Sequence, residues 1–309
     1  MRGIPPCHPF AGIRDELRAI RSQQRAGNGF ATMVVVYGVP AWAAAPASGC
    51  EPPDTAARSR PINAAGLAGY RALVRSLQAL SAQEGVDIGW WAPWNEPNAP
   101  FFLSPQRARC GGAGPPRSAA VYAQLARAMR AELRPGRQLV IGELAGLENS
   151  GRHATSIADF VRALPSDVLC AAGVYSQHAY ARPGDAPGDR GAVGQLEDAL
   201  DRRPCTRGKP IWVTETGVGG AHVGDRRVGG SATLRADCRA LDAALRRWDA
   251  DPRVDAAFQY TFRDDPAFPV GLADARLDTT FPTYSLWRAW GGSRVPTGPP
   301  PGLPAACRG

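Results

Sequence analysis

Short apolar runs rich in β-branched residues alternate with amphipathic helical stretches along the whole chain, an order that admits few folds. The first helix is predicted from Ile13 to Arg25, with Ile13, Leu17 and Ile20 on one face, and it stops at the Gly27-Asn28-Gly29 breaker. Strands are predicted at 31–39 (ATMVVVYGV), 86–93, 138–142, 168–177, 210–214 and 254–262. Helices at 63–83, 118–133, 157–164, 192–202 and 232–248 separate them, and a short one lies near 284–290. The near-continuous apolarity of ATMVVVYGV fits a strand covered on both faces, as in a parallel sheet. Strand and helix alternate strictly, which predicts an α/β fold. A TIM (β/α)8-type barrel needs eight such units, and only six are visible. The expected fold is therefore that barrel with its first one or two βα units missing. Residues 1–290 make up one domain in this reading. Residues 291–309 (GGSRVPTGPPPGLPAACRG), rich in Pro and Gly, form a surface tail.

Composition excludes several function classes. No apolar run reaches the roughly 18 residues a membrane helix requires. The formal charge of +8 invites a polyanionic partner, but the arginines are scattered, Lys209 is the only lysine, and no basic stripe interleaves with aromatics. Nucleic acid is not an expected partner. The seven cysteines contain no CxxC pair and no metal-ligand spacing, so zinc is not expected; no cofactor is implied. Cys50, Cys110, Cys205 and Cys307 sit in loop-like contexts that suit disulfides, whereas Cys170 and Cys238 fit buried thiols equally well. The opening MRGIPPCHPFAGIRDEL has no secretory h-region, so the chain is either cytoplasmic or lacks its natural start. The cysteine count favours the second reading and a secreted or cell-surface protein.

The chemistry concentrates at strand ends, where the loops of parallel folds gather. WAPWNEPN (91–98) ends an apolar run on Glu96, and IWVTETG (211–217) ends another on Glu215. Two carboxylates so placed predict paired acid and base work. Asn95 precedes Glu96 and is also a natural turn residue before Glu-Pro. His178 and Tyr180 end the strand before that of Glu215, within reach of its carboxylate; for His178 a purely structural role is an equal alternative. Trp42, Trp94 and Tyr260 are candidate aromatic platforms for a ligand ring. Trp90 and Trp91 alternate on one strand, so one of them must pack under a helix. Phe101 and Phe102 either line a cleft or anchor their loop. Glu143, in VIGELAG, also ends a strand and is expected to be solvated or to orient substrate. Asp264 and Asp265 read as loop caps or an outer contact.

WNEPN and WVTETG resemble the acid/base and nucleophile motifs of clan A glycoside hydrolases. YGVPAWA, WAPWNEPN and the HAY at 178–180 are most similar to members of families 39 and 5, and the likeness runs from about Asp15 to Trp290. The resemblance implies a retaining O-glycoside hydrolase that works by double displacement on a poly- or oligosaccharide, as a monomer. It makes Glu96 the acid/base at the end of the fourth barrel strand and Glu215 the nucleophile at the end of the seventh. It also implies that Asn95 hydrogen-bonds the sugar 2-hydroxyl. The chain departs from the family pattern in two places. An arginine usually found near the nucleophile has no counterpart here, and Tyr260 or Phe262 stands where a tryptophan commonly floors the subsite. The competing expectation is a non-catalytic carbohydrate-binding remnant of such an enzyme.

Overall fold

The computed structural model describes residues 11–27, 31–110, 112, 114–186, 189–220, 222–223, 226–227, 229–291 and 298–308. Cys7, Asn28 and Gly29 lie outside the described residues, as does 292–297 of the tail. After helix α1 (Ala11–Arg25), strand β1 (Thr32–Val35) leads to α2 (Ala64–Glu84), β2 (Ile88–Ala92), α3 (Arg117–Glu132) and β3 (Gln138–Leu144). Two short helices, α4 (Ile157–Ala163) and α5 (Ser166–Leu169), precede β4 (Val174–His178), α6 (Gly191–Leu200) and β5 (Ile211–Thr216). A small antiparallel ribbon, β6 (His222–Val223) with β7 (Arg226–Arg227), comes before α7 (Ser231–Asp249), β8 (Val254–Gln259) and α8 (Pro282–Ala289).

Six strands form one parallel sheet in the order β1-β2-β3-β4-β5-β8, curled into part of a barrel. Among the described residues nothing pairs with the outer edges of β1 and β8. Parallel pairing puts all six C-terminal ends on one rim, and there Glu96, in the loop after β2, meets Glu143, His178 and Glu215 at the ends of β3, β4 and β5.

The period-2 pattern of the strands divides the core in two. Trp91, Ile141, Tyr175, Ile211 and Val213 point outward into the main core with Val74, Leu77, Tyr122, Met129, Phe160 and Leu241 of the helices. Ala92, Val140 and Val174 point inward, joined by Met33, Val35, Trp90 and Trp212. Trp90 thus faces the barrel interior, 5.2 Å from Trp212, while Trp91 is fully buried under the helices, as their alternation required. Helix α2 shows how locally these elements are specified. The Asn63 side chain accepts a hydrogen bond from the Gly66 N–H at 2.8 Å, Tyr70, Val74, Leu77 and Ser81 line its buried face, and Gly85 ends it with φ of 69°.

Two sequence expectations are corrected and one open alternative is decided. Val168 and Leu169 do not begin a strand but close α5, whose start after Pro165 and Ser166 turns both side chains into the core; the strand begins only at Val174. Cys170 and Cys238 are not free thiols: the disulfides are Cys50–Cys110, Cys170–Cys205 and Cys238–Cys307. Nor does the end of the tail run over the surface. Ala305–Cys307 forms a 3-10 turn against α7 and α8, Cys307 is fully buried, and Arg239 donates to its carbonyl at 3.2 Å. The Cys238–Cys307 bridge closes a segment of 69 residues. Chain-entropy arguments give such a closure about 4 kcal/mol. Cys307→Ser is therefore expected to lower unfolding free energy in urea by about 2–4 kcal/mol. An unchanged midpoint would mean that the turn docks without help from the bond.

Candidate active site

The rim is built from backbone that departs from regular geometry at its two middle positions. Glu96 and Glu143 both adopt the left-handed region, with φ of 40° and 51°, and the Glu96 N–H donates to the Glu143 carbonyl at 2.8 Å. Non-glycine residues pay strain there, and such strain concentrates at functional sites. The β3–β4 register slips between Ile141 and Leu144, which turns Glu143 inward. Gly142 permits the slip, since a Cβ there would lie 2.1 Å from the Ser176 carbonyl oxygen. Asn98 anchors the Glu96 loop to the end of β3. Its amide donates to Ala145 O and Thr155 O at 3.0 and 3.1 Å and accepts from the Ala145 N–H at 2.8 Å.

His178, at the end of β4 and only 1% exposed, sits at the centre. Its Nδ1 lies 2.9 Å from Glu96 Oε1 and 3.2 Å from Glu215 Oε2, and its Nε2 lies 3.2 Å from Glu143 Oε2. Burial alone would push the imidazole toward its neutral form, but the hydrogen-bonded carboxylates of Glu143 and Glu96, with the charge of Glu215 nearby, outweigh it and raise the pKa to about 10. Glu215 receives a hydrogen bond from the Tyr180 hydroxyl at 2.6 Å. Burial pushes the Glu215 carboxyl up from its ordinary value, while charged His178 and the Tyr180 hydroxyl hold it back. The oxygens of Glu96 and Glu215 and the His178 nitrogen lie within 4.8 Å of one another, close enough to share a cation. A proton on Nδ1 already accounts for these contacts.

The structure brings together four of the residues singled out in the sequence, Glu96, Glu215, His178 and Tyr180. Asn95 is beside them in sequence and 8% exposed. Tyr260 joins them from the end of β8: its N–H donates to Thr216 O at 2.8 Å, and its hydroxyl is pushed up by burial, then by Glu215. Phe268, absent from the sequence-level candidates, packs edge-on against both Tyr180 and Tyr260, with centroids 4.9 and 5.9 Å apart. Tyr37, 60% exposed and packed edge-on against Phe102, lies close enough to influence Tyr260.

Two proposed platforms are placed elsewhere. Trp94 is buried, its indole N–H donating to Phe102 O at 3.0 Å, so it anchors the loop after Glu96 and presents no face to a ligand. Trp42 is exposed but lies across Gly69 of α2. Glu143, expected to be solvated or substrate-orienting, is 2% exposed and bonded to His178. Asp264 is buried in a two-point pair with Arg227 and accepts from the Gly271 N–H, fixing the loop beyond β8.

A parallel sheet curled into part of a barrel, with its strands joined through helices, is the arrangement of part of a (β/α) barrel. The chain is similar in fold to solved glycoside hydrolases. A monomeric beta-xylosidase from Caulobacter crescentus CB15 matches with a TM-score of 0.50 and 17% identity over 73% of this chain and 47% of that one. A Bacteroides uniformis beta-glucuronidase matches with a TM-score of 0.50 and 13% identity, over 89% of this chain and 32% of that one. A calcium-binding mutant of Bacteroides uniformis beta-glucuronidase 2 matches with a TM-score of 0.53 and 13% identity, over 89% and 28%. The chain spans less than half the length of each of these proteins, and at such identities the likeness is one of fold. No protein-family model and no curated protein sequence matches it.

Proposed function

We propose that this chain is a retaining O-glycoside hydrolase acting on a poly- or oligosaccharide, with Glu215 as nucleophile and Glu96 as acid/base. One observation carries the reading: carboxylate oxygens from the ends of two strands, β2 and β5, lie within 4.8 Å of each other around one buried histidine. Retaining glycosidases hold their two carboxyl groups about 5–5.5 Å apart, too close for the water that an inverting enzyme places between them.

In the first step Glu215 Oε attacks the anomeric carbon as Glu96 passes its proton to the departing glycosidic oxygen. In the second, Glu96 takes a proton from water, which attacks the same carbon and releases Glu215. Tyr180 holds the nucleophile oriented through its donated hydrogen bond, and the charge of His178, 3.2 Å away, favours the ionised form. Asn95 contacts the sugar 2-hydroxyl, an interaction that strengthens as positive charge develops at the anomeric carbon. Tyr260, Tyr180, Phe268 and Tyr37 supply aromatic walls for the sugar.

Three disulfides are compatible with an extracellular setting, and among the described residues no helix is long and apolar enough to cross a membrane. We read the protein as secreted or cell-surface and monomeric. The competing reading, a carbohydrate-binding remnant without turnover, draws on the open edges of β1 and β8 and on Phe258, 42% exposed beside Trp212.

Purified protein assayed on a panel of aryl glycosides and polysaccharides separates the two readings. Xylosides and glucuronides head the panel, after the names of the proteins similar in fold. Cleavage whose first-formed product keeps the anomeric configuration of the substrate supports the proposal. Glycan binding with no released sugar supports the remnant.

A further inference from the structure

The proposed reaction leaves a third buried carboxylate without a task. We propose that Glu143 is a positioning residue for the reacting pair: through His178 it supplies the negative charge that lets Glu96 and Glu215 share a proton while both touch a charged imidazole. This inference rests on the glycosidase reading.

Oxygen atoms face His178 on both ring nitrogens, two on the Nδ1 side and Glu143 Oε2 on the Nε2 side. A neutral imidazole has one N–H, so donating on both sides of the ring takes an imidazolium, whose Nδ1–H faces Glu96 and Glu215 together. An imidazolium beside two carboxylates, taken alone, would favour having both of them ionised, whereas a general acid must carry a proton. Glu143, on the far side of the ring, offsets that charge, so the pair on the Nδ1 side can hold one proton between them.

Its surroundings show a side chain held in place for this contact. Three hydrogen bonds maintain the irregular backbone: Glu143 N–H to Ser176 Oγ at 2.7 Å, Gly142 N–H to Tyr122 Oη at 2.8 Å, and Glu96 N–H to the Glu143 carbonyl. Glu143 Oε1 has no protein partner, a cost that a residue serving only to fill space would not incur. The titratable groups facing Glu143 are His178 from β4, Glu96 from the loop after β2, Glu215 from β5 and Tyr122 from α3, whose hydroxyl burial and the charge of Glu143 both push up.

Glu143→Gln keeps the shape and an acceptor for Nε2–H but removes the charge. Loss of an anion lowers the proton affinity of His178 and of the carboxylate pair beside it. The pH profile of kcat/KM on a cleaved aryl glycoside should therefore move to lower pH by about one unit, with its alkaline limb clearly displaced. Glu143→Asp, which keeps the charge, should return the profile toward that of the unaltered protein. A profile that stays in place in Glu143→Gln overturns the proposal.

Histidine 15N NMR supplies an arm independent of turnover. In the unaltered protein His178 should show the imidazolium signature well above neutral pH, and Glu143→Gln should lose it at least one pH unit earlier. Ordinary titration of His178 near 6.5 in the unaltered protein, or unchanged titration in the variant, contradicts the proposal. If the protein cleaves no glycoside, the glycosidase reading fails while the NMR result still decides the link between Glu143 and His178. Should Glu143→Gln not fold, the titration in the unaltered protein and in Glu143→Asp decides it.

Discussion

Glu215→Gly is expected to lower kcat by about 10⁴-fold or more, the scale on which removal of a nucleophile is felt. Azide should then restore turnover of an activated aryl glycoside. The small anion fits the space vacated by the carboxylate and attacks the anomeric carbon from the same side. The product of that rescue is a glycosyl azide of inverted configuration, because the reaction now has one displacement in place of two. Tyr180 loses its acceptor and His178 a charged neighbour in this variant, so some loss comes from the neighbours and not from the missing oxygen alone. Rescue by azide separates the two effects, since it repairs the attack without repairing the hydrogen bonds. Turnover within tenfold of the unaltered protein would remove Glu215 from the reaction.

Glu96→Ala should behave differently, and the difference identifies its role. Acid–base assistance contributes about 10²–10⁴-fold, and its worth depends on how badly the leaving group needs a proton. Natural glycosides, which leave as alkoxides, should lose the full amount. Dinitrophenyl glycosides, which leave unaided, should still form the glycosyl intermediate and then stall, because no base activates water in the second step. Rate-limiting deglycosylation predicts a burst of phenol followed by a slow steady state, and a KM lower than that of the unaltered protein. Azide should relieve the stall and here give a product of retained configuration. Equal losses on good and poor leaving groups would contradict the acid/base assignment.

Much of this architecture could be read from the chain. Apolar runs of period 2 and amphipathic runs of period 3.6 place five of the six sheet strands within a few residues of where they form. The exception, Val168 and Leu169, shows why: an apolar pair after Pro-Ser-Asp satisfies a short helix as well as a strand, and only packing against α3 decides. The disulfides of Cys170 and Cys238 were hidden for a related reason. Their partners lie 35 and 69 residues away, and proximity of that kind is a property of the folded chain. At the site, Glu96 and Glu215 were legible because each ends an apolar run in a distinctive motif. Glu143 ends a run in the same way, but its burial depends on the register slip at Gly142, which no local pattern announces. Trp94 misled because an aromatic beside an acidic strand-end motif looks like a ligand platform, whereas the indole N–H is committed to Phe102 O. Tyr37 and Phe268 went unmarked since their place on the rim comes from the curl of the sheet.

The proposal stands or falls on a covalent bond to one oxygen. Once a cleaved glycoside is known, its 2-deoxy-2-fluoro analogue with an activated leaving group slows both steps and lets the intermediate accumulate. Intact-protein mass spectrometry should then show one added sugar per chain, and peptide mapping should place it on Glu215 within IWVTETG. A label on another residue, or turnover of the parent glycoside by protein that the analogue never labels or inactivates, would contradict double displacement through Glu215.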